Sequence, residues 1–308
     1  MNILLESFLL SLGFLLLVKG ADWFVDGASG VAAKLRIPQL VIGLTIVAMG
    51  TSAPEAAVSI SAALKGSAEI TIGNIVGSNI LNILIILGLA SALVPIAVAK
   101  STLRADIPFM LLITGILLVL GWDGTIGLAD GLVMLALFAG YLIYLFMGAK
   151  NSLAEEPIQN LPLWKALSFT VIGLALIIWG ADVAVDAATA LARIFGMSER
   201  FIGLTIVALG TSLPELFTSV SAARKGNADI AIGNIVGSNI FNILFIVGLS
   251  GLIVPVPFAS PFRIDTVIAI AAGIVLLVLA LPRRKLLRWH GPVMLALYGM
   301  YLAWLLRV

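Results

Sequence analysis

The sequence contains no cysteine and a single histidine, His290, in 308 residues. The lack of cysteine excludes disulfides, thiolate metal sites and cysteine nucleophiles. One histidine in a basic loop beside Arg288 is typical of a solvated side chain, because a zinc site needs several ligands. Charged residues are also scarce, at 11% of the chain, where soluble domains carry roughly 25%. These absences indicate that lipid surrounds most of the chain.

Apolar residues dominate the sequence instead, making up 61% of it and giving a mean hydropathy of +1.16. Apolar runs of roughly 18 or more residues, long enough to span a bilayer, recur along the whole chain. The first run lacks a basic n-region and a cleavage site, so we predict a membrane helix there and not a signal peptide. The net charge of +2 comes from scattered basic residues, which argues against a nucleic-acid partner.

The chain is built from two copies of one unit. Three segments recur in the same order and with the same spacing, so no insertion or deletion separates the copies across this region. The pairs are GADWFVDGA from Gly20 with GADVAVDAA from Gly180, GLTIVAMGTSAPE from Gly43 with GLTIVALGTSLPE from Gly203, and GNIVGSNILNIL from Gly73 with GNIVGSNIFNIL from Gly233.

Each copy contains five predicted spans. We place them at about 3–32, 39–64, 70–94, 105–121 and 128–148, and at about 163–194, 200–223, 230–254, 264–281 and 289–306. The sequence therefore predicts a first five-helix repeat at residues 1–148 and a second at residues 163–308. The polar segment 149–162 is the predicted cytoplasmic linker between them.

The orientation of the copies follows from the odd number of spans in each. Five spans return the chain to the opposite side, so the second copy must be inverted in the membrane. Twelve basic residues fall in the loops predicted on one side, against five on the other, which makes the first side cytoplasmic. We expect an all-α polytopic protein of the cell (inner) membrane, with ten transmembrane helices in two inverted repeats and both termini outside.

Two acidic residues, Glu55 and Glu215, lie midway along predicted spans with no basic residue near them in sequence. Ionisable groups at that depth are costly and are functional candidates by default. An alternative is a structural carboxylate that pairs with a cation distant in sequence. Thr51 and Ser52 lie one turn before Glu55, and Pro54 is predicted to break the helix and free backbone carbonyls near the middle of the membrane. The second copy repeats this pattern with Thr211, Ser212 and Pro214.

The following span in each copy carries a second set of polar residues. Asn74, Ser78 and Asn82 are spaced four residues apart and share one helix face, as do their counterparts Asn234, Ser238 and Asn242. Hydrogen bonding between helices is the alternative interpretation, above all for Asn74 and Asn234. Asn79 and Asn239 point about a quarter turn away, so we expect them to cap or bridge helices.

Oxygen atoms from carboxylate, hydroxyl and carbonyl groups are the ligands that hard cations prefer. Calcium accepts about six to eight of them in flexible geometry, and sodium has a similar ionic radius. Magnesium is a weaker candidate, because it demands tighter geometry and retains its water. The acidic residues Asp22, Asp26, Asp182, Asp186, Asp106 and Asp265 lie near span ends, where solvated or interfacial roles are expected.

The motifs GTSAPE and GTSLPE, each followed by GNIVGSN and a further Asn, resemble the sodium/calcium exchanger family of the cation/calcium antiporter superfamily, prokaryotic type. Related calcium/proton exchangers carry a GN-x-x-E type motif that this chain lacks. The resemblance covers nearly the whole chain and implies that the first and sixth helices move against a rigid core. It also implies a set of cation ligands. Side chains contribute from Thr51, Ser52, Glu55, Ser78, Asn82, Thr211, Ser212, Glu215, Ser238 and Asn242, and backbone carbonyls contribute from Ala48 and Ala208.

One position departs from part of this family. Some members, including potassium-dependent ones, carry an Asp where this chain has Asn242, so the predicted site holds only two carboxylates. The departure argues against potassium co-transport and against proton binding at that position.

The sequence therefore predicts an antiporter and not an enzyme, exchanging sodium for calcium by alternating access. We expect no cofactor beyond the transported ions and no obligatory protein partner. The alternatives are an exchanger of the same fold that uses protons or another cation, and a channel without obligatory exchange. An intramembrane hydrolase using Ser52 or Ser212 would lack a histidine or lysine base within its motif.

Overall fold

The computed structural model describes residues 3–65, 68–151, 161–196 and 208–305. Helices account for nearly all of the described chain, because a segment in lipid must satisfy its own backbone hydrogen bonds. The first half contains α1 (Ile3–Leu35), α2 (Gln39–Ile42), α3 (Ala48–Thr51), α4 (Ala53–Leu64), α5 (Glu69–Leu81), α6 (Gly88–Leu93), α7 (Ile107–Leu120) and α8 (Leu128–Asn151). π-Helical turns at Gly43–Val47 and Asn82–Leu87 join α2 to α3 and α5 to α6, and a third at Thr102–Asp106 leads into α7.

The described part of the second half repeats this order. Its helices are α9 (Leu163–Ile194), α10 (Ala208–Thr211), α11 (Leu213–Arg224), α12 (Ala228–Phe241), α13 (Gly248–Ile253), α14 (Ser260–Ala280) and α15 (His290–Leu305). A π-helical turn at Asn242–Val247 joins α12 to α13 and matches the turn at Asn82–Leu87. The two copies therefore share this irregularity as well as the sequence motifs, whereas the turn at Thr102–Asp106 has regular α-helix at the equivalent place in α14.

The described helices confirm a polytopic membrane fold. Seven of them are long and apolar enough to cross a bilayer, and the bent pair α2–α4, counted as one span, makes eight. The seven are Ile3–Leu35, Ile70–Leu93, Thr102–Asp123, Leu128–Ala149, Leu163–Ile194, Ala228–Ile253 and Ser260–Ala280.

Burial divides these spans into a centre and a periphery. In the most apolar stretch of Ala228–Ile253, 94% of residues are buried, and in that of Ile70–Leu93 the share is 78%. In α1 the corresponding share is only 17%, although α1 is equally apolar. The spans that begin with α5 and α12 therefore form the core of the protein, while α1 and α9 present much of their surface to lipid.

The long helices α1 and α9 pack side by side along most of their length. Gly27 makes this approach possible, because a Cβ at this position would lie 2.4 Å from the backbone nitrogen of Thr170. Gly173 plays the same part on α9, where a Cβ would lie 2.5 Å from the nitrogen of Phe24. Small residues at the contact are the usual means by which membrane helices come into close van der Waals contact.

Four two-residue strands depart from the all-helical prediction. β1 (Ile96–Ala97) pairs antiparallel with β4 (Lys285–Leu286), and β2 (Thr125–Ile126) pairs antiparallel with β3 (Val256–Pro257). Each sheet joins a loop of the first half to a loop of the second. The strands form where the chain leaves a helix and its backbone groups need partners outside the helix.

Four of the six acidic residues near span ends have protein partners instead of a purely interfacial role, namely Asp22, Asp26, Asp106 and Asp265. Asp106 is only 2% exposed, and the hydroxyl of Tyr141 donates to it over 3.4 Å, so it is not the interface anchor that its sequence position predicts. Asp26 forms a 2.7 Å ion pair with Lys225, and this contact joins α1 to the C-terminal end of α11. Tyr141 lies too far away in sequence for its contact with Asp106 to be predicted.

Candidate cation site

The second span of each copy is broken near its centre. Between α3 and α4 the axis bends by 49° at Ser52, whose backbone angles of φ −82° and ψ 9° are not helical. Pro54 lies in the first turn of α4, where its missing N–H is tolerated. Ser212 breaks the other copy in the same way, with φ −92° and ψ 5°, immediately before α11 and Pro214. The predicted break is thus present in both copies.

The two breaks place Glu55 and Glu215 in the first turns of α4 and α11. Both side chains are buried, at 1% and 0% exposure. Ser52 Oγ donates to Glu215 Oε1 over 2.7 Å, and Ser212 Oγ donates to Glu55 Oε1 over 3.2 Å. Each carboxylate is therefore held by the hydroxyl of the other copy, so the two motifs form one site.

The carbonyl of Ala48 faces the same region but is not free. It accepts the backbone N–H of Ser52 over 3.0 Å, the hydroxyl of Thr51 over 3.3 Å and the hydroxyl of Ser238 over 3.3 Å. The bend therefore turns this carbonyl toward α12 without removing its helical hydrogen bond. In the second copy Ala208 begins α10, one turn before the Thr211 hydroxyl.

The two asparagines one turn before the predicted ligands bind to other helices. Asn74 Nδ2 donates to Ser59 Oγ over 3.0 Å and, at 3.4 Å, to the backbone carbonyl of Glu55. Asn234 repeats both contacts with Ser219 and Glu215. The interhelical interpretation is therefore confirmed for both residues. Asn234 Oδ1 also accepts the hydroxyl of Thr51 over 3.0 Å.

Asn79 and Asn239 bridge helices, as predicted, and the helices that they join belong to different copies. Each donates its Nδ2 to the backbone carbonyl of the other over 3.2 Å. Their side-chain oxygens accept further amides, from Asn242 Nδ2 to Asn79 Oδ1 and from Asn82 Nδ2 to Asn239 Oδ1, both over 3.0 Å. Ser78 is buried on α5 between Asn74 and Asn82. No sequence pattern indicates that this bridge reaches the predicted ligands Asn82 and Asn242.

Nine buried side-chain oxygens in the described part of the chain have no hydrogen-bond partner. Buried polar atoms are almost always satisfied, so such exceptions require a physical reason. No described basic residue forms an ion pair with either glutamate. Five of the nine oxygens belong to predicted ligands, namely Glu55 Oε2, Glu215 Oε2, Thr211 Oγ1, Asn82 Oδ1 and Asn242 Oδ1. The other four belong to Thr102, Thr218, Asn227 and Ser250. Carboxylate, hydroxyl and amide oxygens of this kind are suited to a hard cation.

The sequence matches the model of the family described as sodium/calcium exchanger protein, over residues 6–147 and 165–307. The sodium/calcium exchanger MaX1 of Methanosarcina acetivorans is 34% identical, over 96% of this chain and 96% of that protein. The inner membrane protein YrbG of Escherichia coli is 42% identical, over 82% of this chain and 81% of that protein.

A solved structure of the sodium-calcium exchanger NCX_Mj has the same fold, with a TM-score of 0.86. Its sequence is 35% identical to this one, and the match covers 99% of this chain and 100% of that chain. The family match covers both halves of the chain, including both broken spans and both asparagine-bearing spans. The chain belongs to the sodium/calcium exchanger protein family.

Proposed function

We propose that this protein is a secondary antiporter that exchanges sodium for calcium across the membrane. The observation that carries the proposal is that five oxygens of predicted ligands are buried without partners, two of them from the carboxylates of Glu55 and Glu215, which the serine hydroxyls of the opposite copies hold. A desolvated pair of negative charges without a protein cation is costly unless a bound cation compensates it.

The ligand types favour calcium and sodium over other cations. Two carboxylates balance the charge of one calcium ion, and hydroxyl and amide oxygens complete a flexible oxygen shell. The same oxygens suit sodium ions, which carry half the charge each. The proposed ligands are those that the resemblance implies, from Ala48, Thr51, Ser52, Glu55, Ser78 and Asn82 in the first copy to Ala208, Thr211, Ser212, Glu215, Ser238 and Asn242 in the second.

The architecture we propose is ten spans in two inverted repeats, residues 1–148 and 163–308, joined by a cytoplasmic linker at 149–162. Helix α15 is a sixteen-residue helix and supplies the tenth span, and α10 with α11 supplies the described part of the seventh. The strand pairing supports the inversion. β1 and β3 occupy equivalent loops of the two copies, yet β1 pairs with β4 and β3 pairs with β2.

This exchange of partners is expected when equivalent loops lie on opposite sides of the membrane. Loop 3/4 with β1 and loop 9/10 with β4 would share the basic, cytoplasmic side. Loops 4/5 and 8/9, with β2 and β3, would share the outer side. Both termini would then face outside, and the relative YrbG, named an inner membrane protein, supports the cell membrane as the location.

Alternating access would require one part of the protein to move past another. We expect the α1–α9 pair to be the part that moves. These two helices pack on each other along their length, and they are far less buried than the spans that begin with α5 and α12. The buried centre would hold the cations while this pair shifts, as the family resemblance implies.

Reconstitution of the purified chain tests the proposal. Proteoliposomes loaded with sodium should accumulate calcium when diluted into sodium-free buffer, with no other protein present. An imposed pH gradient without sodium should drive no uptake. Uptake that follows the pH gradient would instead favour a calcium/proton exchanger of the same fold, and calcium flux without a counter-ion would indicate a channel.

A further inference from the structure

The helices α5 and α12 cross where the first and second copies meet, and four asparagines lie at the crossing. Asn79, Asn82, Asn239 and Asn242 are each at most 3% exposed, so water does not compete for their amides. Asn79 Nδ2 donates to the carbonyl of Asn239, and Asn239 Nδ2 donates to the carbonyl of Asn79, each over 3.2 Å. These two hydrogen bonds anchor side chains to backbone atoms.

The backbone contacts determine the orientation of all four amides. A backbone carbonyl can only accept, so the NH₂ groups of Asn79 and Asn239 must point toward it. Their Oδ1 atoms then point the other way and can only accept as well. The neighbouring amides must therefore present NH₂ to them, which is the arrangement observed for Asn242 with Asn79 and for Asn82 with Asn239, each at 3.0 Å.

The same hydrogen bonds determine which amide atoms of Asn82 and Asn242 can bind a cation. Because Nδ2 of Asn82 and of Asn242 is committed to the bridge, the Oδ1 atom of each points away from it and has no partner. A rotated amide would exchange the two atoms and present NH₂ in the same place. An NH₂ group carries partial positive charge and cannot coordinate a cation.

We propose that Asn79 and Asn239 are positioning residues, which hold the amides of Asn242 and Asn82 with their oxygens toward the transported cation. This inference rests on the proposed function, since it assumes that a cation binds at those oxygens. Neither residue contacts the cation in this arrangement, and each acts on one ligand only. Asn239 orients Asn82, and Asn79 orients Asn242.

The test is a pair of double-mutant cycles on calcium affinity, measured by binding of radioactive calcium to the purified protein. Asn239→Leu should raise the Kd for calcium about tenfold, because it removes the hydrogen bond that orients the Asn82 amide toward the ion. In an Asn82→Ala background, Asn239→Leu should raise Kd no further, because the amide that it orients is absent. In an Asn242→Ala background, the two effects on Kd should multiply. Asn79→Leu should show the reverse pattern.

A residue that only bridges helices would not discriminate between the two backgrounds. Equal coupling of Asn239 to Asn82 and to Asn242, or an unchanged Kd in Asn239→Leu, would overturn the positioning role and leave the proposed function intact. Absence of sodium-sensitive calcium binding in the wild type would overturn the proposed function and the positioning role with it. If Asn239→Leu does not fold, Asn239→Ser replaces it, because a serine hydroxyl is too short to reach the Asn82 amide.

Discussion

Ser52 donates a 2.7 Å hydrogen bond to Glu215, so a hydroxyl of one repeat orients the carboxylate of the other. The reciprocal contact from Ser212 to Glu55 is longer, at 3.2 Å. In each case the remaining carboxylate oxygen has no partner. Neither repeat can therefore build the proposed site alone, because each carboxylate is oriented by a hydroxyl of the other repeat.

Neutralising either carboxylate should abolish exchange. Glu55→Gln and Glu215→Gln each leave one negative charge to balance a buried divalent ion, and breaking a buried charge pair costs about 3 kcal/mol or more. Calcium flux should fall by more than about a hundredfold, since 1.4 kcal/mol corresponds to a factor of ten. Sodium-driven calcium uptake in proteoliposomes provides the measurement.

Asp123→Asn is the matched control for these variants, because Asp123 is an exposed carboxylate in the short loop before β2. It should retain wild-type flux. A Glu55→Gln or Glu215→Gln protein that folds and keeps near wild-type flux would contradict the shared site.

Replacing Asn242 by a carboxylate should make transport depend on pH or on potassium. Asn242→Asp adds a third negative group to the site and turns an oxygen toward Asn79 Oδ1, which accepts and cannot donate. A protonated Asp restores the donor and should behave like the wild type at low pH. At higher pH the ionised group should recruit potassium or slow transport. Calcium flux is measured across a pH series, with and without potassium.

Asn82→Asp should respond in the same way, because Asn82 faces the equivalent oxygen of Asn239. Wild-type protein in the same pH and potassium series is the control. Identical profiles for Asn242→Asp and the wild type would remove Asn242 from the proposed ligand set.

Cysteine labelling should place the two strand pairs on opposite sides of the membrane. The chain has no native cysteine, so single substitutions report their own position. Arg283→Cys, in the exposed loop before β4, should react with an impermeant maleimide only from the cytoplasmic side. Asp123→Cys, before β2, should react only from outside. Labelling of both positions from one side would contradict the inverted arrangement.

A side chain added at the contact between α1 and α9 should destabilise the protein. Gly27→Ala places a Cβ 2.4 Å from the backbone nitrogen of Thr170, and forced overpacking typically costs about 1–3 kcal/mol. The unfolding temperature in detergent should fall. Gly140→Ala is the control, since a Cβ there meets no atom within 4 Å. Equal stability of the two variants would mean that the helices are not in close contact at Gly27.

The sequence predicts the broken spans because their cause is local. Pro54 and Pro214 stand at equivalent places in the repeat, and a proline disrupts a helix wherever it occurs in its interior. The repeat also shows that Glu55 and Glu215 have equivalent surroundings. Pattern alone therefore identifies both carboxylates and their neighbouring hydroxyls as a set.

Contacts between the repeats were beyond prediction, because they depend on how the two units are rotated against each other. Nothing in the sequence shows that Ser52 reaches Glu215 instead of Glu55, which is only three residues further along the chain. Helix periodicity likewise predicts on which face of α5 Asn79 lies. It does not predict that the Asn79 amide donates to the backbone carbonyl of Asn239. The contact of Asp106 with Tyr141 lies within the first repeat, but it also depends on packing between helices that are distant in sequence.

The strand pairs also affect how the protein is made. β1 emerges early in synthesis, but its partner β4 lies almost at the end of the chain. Contacts between residues far apart in sequence form slowly, because the intervening chain must first be ordered. Until β4 arrives, β1 retains unpaired backbone groups at the membrane surface. The first repeat therefore cannot complete this pairing until synthesis has reached β4, directly before α15.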